Sequence, residues 1–113
     1  MDKVKKYSKI IEEELNSWVE GATLEVPGIE FQLIVDKEKY QFILLALGWK
    51  EDEYVHDWLF HIQIKDEQVW IHEDQTGAGI AKVLKESGIP ASDLILGFVE
   101  PYLREDDKLQ EAG

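Results

Sequence analysis

Hydrophobic positions change their period several times along the chain, and each change marks a predicted element. Val4, Tyr7, Ile11, Leu15 and Trp18 recur every three or four residues, so they share one stripe of an amphipathic helix expected to end near Gly21. After Pro27-Gly28 the period falls to two. Ile29, Phe31, Leu33 and Val35 alternate with Glu30, Gln32 and Asp36, as in a strand with one buried face. Asp36 to Lys39 reads as a polar turn. From Tyr40 to Trp49 both parities are apolar, with Phe42, Leu44 and Ala46 on one and Ile43, Leu45 and Leu47 on the other, which predicts a central strand covered on both sides. Glu51 to Glu53 connects it to a third strand, Tyr54 to Lys65, with Trp58, Phe60, Ile62 and Ile64 expected on one face. Val69 and Ile71 continue that face in a fourth strand. Short polar turns between the four predict an antiparallel meander.

The remaining pattern is helical and then extended. Thr76 is placed to cap a second helix, since its hydroxyl can accept from a free N–H of the first turn. Gly88 is expected to end that helix in a left-handed conformation, with Leu84 and Ile89 making the accompanying apolar contact and Pro90 preventing extension. Asp93 to Gly97 reads as a short apolar segment, either an edge strand or a buried extended stretch. The acidic tail 105–113 is expected to fray. The fold class is therefore α+β, in one domain spanning residues 1–113: an N-terminal helix, a four-stranded antiparallel meander, a second helix and a short C-terminal apolar segment. A second strand that is apolar on both faces leaves Ile43, Leu45, Leu47 and Leu59 to be covered. Either the helices flank the sheet or a second subunit covers it, and a homo-oligomer is the expectation.

Composition narrows the function classes. The 113 residues carry 24 acidic and 12 basic side chains, a net charge of -12, whereas a protein gains on a polyanion chiefly through Lys and Arg. Direct nucleic-acid binding is not expected. An acidic surface either maintains solubility or meets a basic protein partner, whose encounter it would speed. The absence of cysteine removes disulfides, thiolate nucleophiles and sulfur-ligated zinc. The opening Met1-Asp2-Lys3-Val4-Lys5-Lys6 leads into charged helix rather than an apolar signal core, and the longest apolar run, Phe42 to Trp49, falls short of the ~20 residues of a membrane span. A cytoplasmic location with no membrane contact is the expectation.

One arrangement could carry chemistry. If Asp66-Glu67 is a two-residue hairpin turn, Lys65 faces Gln68, and counting back sets His61 opposite His72 on the same side as Asp57 and Asp74. Directly opposed side chains could share a divalent metal, so Asp57, His61, His72 and Asp74 are candidate ligands of a metal-dependent enzyme. The other reading is a half-exposed polar face, because a one-residue slip in register destroys the constellation. His56 lies an odd number of residues from His61 and points to the opposite face. Gly77-Ala78-Gly79 lacks the third glycine of a phosphate loop, where Lys82 stands, and reads as a tight strand-to-helix turn. Ser8, Ser17, Ser87 and Ser92 have no nucleophile-elbow context, and no carboxylate pair stands out as acid and base.

The segments WIHEDQTGAGIA, SGIPASDLILGF and EPYLR, together with Tyr7, Ile11, Gly48-Trp49, His61 and Asp66, resemble the fdxN element excision controlling factor family, XisI, known mainly from cyanobacteria. Within those segments the resemblance rests on Trp70-Ile71, Asp74, Thr76, Gly79-Ile80-Ala81, Gly88-Ile89-Pro90, Asp93, Leu96-Gly97-Phe98 and Pro101. It extends over roughly 1–104. Departures are Glu67 where the family often has glycine, Gly77 where an acidic residue is frequent, and Val99-Glu100 in place of a more proline-rich end. The resemblance implies an accessory, non-enzymatic role in excising an element from a nitrogen-fixation gene, beside a separate recombinase and a companion, XisH, whose family resembles a restriction-endonuclease fold. It implies no catalytic residue and no cofactor. An acidic surface, with clusters such as Glu105-Asp106-Asp107, would suit the basic face of such a companion.

Overall fold

In the computed structural model, residues 2–77 and 79–99 are described. Asp2 starts the first helix, α1 (Lys3–Glu25), its carboxylate accepting from the N–H groups of Val4 at 3.0 Å and Lys5 at 3.4 Å. Tyr7, Ile11 and Leu15 form its buried stripe, as their spacing predicts. Full burial of Ile11 and Leu15 is worth about 1.5–3 kcal/mol each. The helix does not end at Gly21. No neighbour crowds that position and its backbone can stay helical, so the chain coils on to Glu25 and stops where Val26 N–H bonds Ala22 C=O ahead of Pro27.

Five strands follow: β1 (Ile29–Asp36), β2 (Gln41–Lys50), β3 (Glu53–Lys65), β4 (Gln68–Asp74) and β5 (Leu94–Leu96). Sheet order is β1-β2-β3-β4-β5, with the first four antiparallel in sequence as the meander predicts. The sheet has five strands rather than the four of the meander, and the segment Asp93 to Gly97 takes the edge-strand form of its two expected readings. Leu94 to Leu96 join as a fifth strand parallel to β4, because the second helix, α2 (Ile80–Glu86), carries the chain back across the sheet before it can pair. Gly48 is required by close packing at the β1 edge: at φ 139°, a β-carbon there would lie 2.4 Å from the Gly28 carbonyl oxygen.

The end of α2 matches its predicted form. Ile89 N–H reaches Leu84 C=O at 3.1 Å and Gly88 N–H reaches Lys85 C=O at 3.2 Å, with Leu84 and Ile89 fully buried against the core. The start does not match. The N-cap position of α2 falls at Gly79 rather than Thr76; Asp74 accepts from the Thr76 N–H and hydroxyl through Oδ1 and from Ile80 N–H through Oδ2 at 2.9 Å, so one carboxylate ties the strand, the turn and the helix together.

Both helices lie on the same face of the sheet. Ser87 donates to Glu14 at 2.7 Å across them, and Ile11, Leu15, Leu84 and Ile89 share one core with Phe42, Leu44, Phe60, Ile62 and Ile71. The alternative of helices flanking the sheet is therefore overturned, and Ile43, Leu45 and Leu47 remain only half-buried on the opposite, open face. That face is wider than the sequence pattern implies. Leu44 pairs with Phe60 but Leu45 pairs with Trp58, so Leu59 is bulged out of register. The parity of β3 inverts at that point, and Trp58 emerges on the open face with Leu45 instead of beside Phe60 in the core. The acidic tail 105–113 and Pro101 lie outside the described residues.

Candidate functional site

The hairpin at Asp66-Glu67 has the expected register, with Lys65 opposite Gln68 and both turn residues at positive φ, 56° and 62°. Four residues further on the register slips. Ile62 pairs with Ile71 and His61 with Glu73, leaving His72 as the bulged residue of β4. His61 and His72 still approach, with ring centroids 4.8 Å apart, but each imidazole is engaged with a neighbouring amide. Nε2 of His61 donates to Gln41 Oε1 at 2.8 Å, and Nε2 of His72 donates to Gln63 Oε1 at 3.1 Å. Burial, then His61 and Lys65, lower the His72 pKa below its ordinary value and favour the neutral ring.

The two carboxylates of the predicted metal set are elsewhere. Asp57 pairs with Ala46 beyond the Leu59 bulge and is exposed, and Asp74 pairs with Phe60 on the helix-covered face, where it is occupied in starting α2. The four candidates do not converge, because two bulges separate residues that a regular hairpin would stack. Among the described residues no group of three or more His, Asp or Glu side chains is placed to hold a metal ion. His56 lies on the open face beside Tyr54, with their rings nearly parallel.

Another buried polar tie joins the two ends of the described chain. Tyr7 is 2% exposed and its hydroxyl donates to Asp93, which also pairs with Lys3 at 3.3 Å. Burial first, and then the Asp93 carboxylate, push the Tyr7 pKa up to about 12. This tie holds α1 to the turn before β5 and contains no group poised as nucleophile or base.

What the structure does gather is apolar surface. Ile34 (45% exposed), Trp49 (60%), Tyr54 (56%) and Trp58 (47%) stand out from the half-buried floor of Ile43, Leu45 and Leu47 on the open face. Paired registers put them together: Ile34 with Ile43, Leu45 with Trp58, Trp49 with Tyr54. Trp49 and Tyr54 have ring centroids 5.3 Å apart. The two-parity run of β2 announced an apolar second face; the part played by Trp58 had no local sign, since nothing in the sequence of β3 distinguishes the bulge from regular strand. The polar His–Gln ladder borders this patch on one side, and a hollow of about 530 Å³ opens on another, between His56–Leu59 and Glu73 with Gln75.

The XisI protein family model matches residues 1–109. The chain belongs to the XisI family. Among solved structures it is similar to the fdxN element excision controlling factor XisI from Anabaena variabilis ATCC 29413, at 30% identity over 91% of this chain and 99% of that one, with a TM-score of 0.75. A XisI-like protein from the same organism is similar at 26% identity over 88% and 90% of the two chains, with a TM-score of 0.78. No curated protein matches the chain. Several residues that carry the resemblance hold specific positions in this XisI fold. Asp74 starts α2, Gly88-Ile89-Pro90 ends it, Tyr7 meets Asp93, and Gly97 lies where a β-carbon would come within 2.9 Å of the His72 ring.

Proposed function

We propose that this chain is a XisI-type accessory factor in the control of programmed DNA excision, acting by docking on a protein partner and performing no chemistry of its own. The observation that carries the reading is the open sheet face, where Ile34, Trp49, Tyr54 and Trp58 expose contiguous apolar surface. Clustered aromatic side chains of this kind are the usual anchors of protein interfaces. The solved relative is described as an excision controlling factor, which supplies the process. The partner that fits is a nuclease-like protein of the XisH type, with a basic surface complementary to a chain of net charge -12. That same charge opposes direct contact with DNA. No described helix is long and apolar enough to cross a membrane.

Co-expression with a tagged XisH-type companion tests the reading. The expected result is co-purification in fixed stoichiometry, lost on Trp58→Asp while the circular dichroism of the variant stays that of the parent. Tight binding of duplex DNA by the isolated chain at low salt, or turnover of a substrate by it alone, would refute the proposal. A second copy of the chain is the competing occupant of the open face. Sedimentation at micromolar concentration separates the two, since a stable dimer that excludes the companion would assign the face to self-association.

A further inference from the structure

The β2–β3 hairpin runs past the rest of the sheet. β4 pairs with β3 only from Phe60 to Lys65, so Glu53 to Trp58 have β2 on one side and, among the described residues, no strand on the other. All of them are exposed except the half-buried Val55. Backbone direction follows from the turn. Lys50 and Glu53 flank a two-residue loop and exchange hydrogen bonds, so the N–H and C=O groups of Val55 and Asp57 also face β2, and those of Tyr54, His56 and Trp58 face outward. The far end of the strand agrees: Ile64 N–H bonds Tyr40 C=O, so even-numbered residues face β2 after the Leu59 bulge and away from it before. The outward edge ends where Gln75 N–H takes the Leu59 carbonyl at 2.8 Å. Beside this edge, along His56 to Leu59, is the hollow of about 530 Å³ walled by Glu73 and Gln75.

We infer that the β3 edge from Tyr54 to Trp58 is a strand-addition site for an extended, lysine- or arginine-bearing segment of a protein partner. The inference rests on the docking reading above and specifies where and how the partner engages. An added strand would satisfy the outward backbone groups of three alternate residues and extend the apolar face with its own alternate side chains. Charge selects the occupant. Glu51, Asp52 and Glu53 cap one end of the edge, Asp57 lies on it and Glu73 walls the hollow, with Lys50 the one cation at the hairpin end among the described residues. A second copy pairing antiparallel through the same edge would bring its own Glu51-Asp52 turn against Glu73, a like-charge contact that disfavours self-pairing; a basic segment meets no such opposition.

The test is a titration of the isotopically labelled full chain with a blocked eight-residue peptide alternating lysine and valine, followed by amide NMR shifts. Shifts centred on Tyr54, His56 and Trp58 are expected, weakened at least tenfold when the two central valines of the peptide become proline. His56→Pro in the chain removes an outward donor and should weaken binding by a similar factor, with the β1–β2 and β3–β4 amides unmoved as the check on folding. Absence of shifts in millimolar peptide, equal binding by the proline peptide, or shifts confined to other regions would overturn the inference. Broadening at the same amides on raising the concentration of the chain alone would also overturn it, by assigning the edge to a second copy. Capture of the XisH-type companion is a separate readout: if it persists in a chain that ignores the peptide, the edge assignment fails and the docking reading stands.

Discussion

Glu67→Gly should stabilise the protein, and the size of the gain can be worked from the β3–β4 turn. Asp66 and Glu67 occupy the two central positions of the hairpin with φ of 56° and 62°, where an L-residue with a β-carbon costs about 1–2 kcal/mol. Glu67 is exposed, so its side chain contributes no packing that the substitution would forfeit. Glycine removes the steric cost but returns roughly 0.5–1 kcal/mol through the greater freedom of the unfolded chain. The net is a gain centred on about 0.75 kcal/mol. For a domain of this length that corresponds to a rise in melting temperature of ~2–4 °C. Urea denaturation of the parent, Glu67→Gly and Glu67→Ala measures it, with alanine as the control that removes the charge and keeps the β-carbon. Glycine should be the more stable of the two variants. Equal midpoints for glycine and alanine would refute the steric reasoning and leave charge as the cause of any change.

Three further outcomes follow from the buried polar groups. Because folding raises the Tyr7 pKa from 10 to about 12, the contribution of the neutral phenol is complete below pH 10 and is lost as pH rises toward 12, amounting to about 2–3 kcal/mol; urea midpoints across that window should fall in the parent more than in Tyr7→Phe. His72 has a lowered pKa, so its contribution is present above pH 6.5 and declines as pH falls below it; with His61, Lys65 and Glu73 as the ionisable groups around it, His72→Gln should flatten the acid limb of the stability curve. Asp74→Ala should cost about 1–3 kcal/mol, since it leaves the Ile80 and Thr76 N–H groups without their carboxylate, and Asp74→Asn should recover part of that loss in the same denaturation assay.

Much of the fold was legible because it is written in local pattern. The Tyr7-Ile11-Leu15 stripe, the Leu84-Gly88-Ile89-Pro90 terminator and the Lys65–Gln68 register each depend on residues close in sequence. The errors in β3 and at the candidate site share a different cause. A bulge adds one residue to a strand without changing its composition, and the bulges at Leu59 and His72 moved Trp58 out of the core and separated Asp57 and Asp74 from the histidines. The parallel docking of β5 depends on the path of α2 across the sheet, which no short window encodes. Gly21 reads as a stop but lies on an exposed surface where the helix tolerates it at a cost of about 1 kcal/mol. Thr76 has the right chemistry for a cap, but its hydroxyl donates to Asp74, and that carboxylate takes the Ile80 N–H of the first turn.

Three of the four indole fluorophores of the chain differ usefully in surroundings, Trp58 because of the inversion of β3 at Leu59. Trp18 lies edge-on to Phe31 and Phe60 in the seam between α1 and the sheet, so its emission follows the integrity of the interior. Trp49 and Trp58 sit in water on the outer surface and will shift to shorter wavelength only when something dry covers them. Single-tryptophan versions of this protein thus carry separate optical signals for unfolding and for capture, without an attached dye.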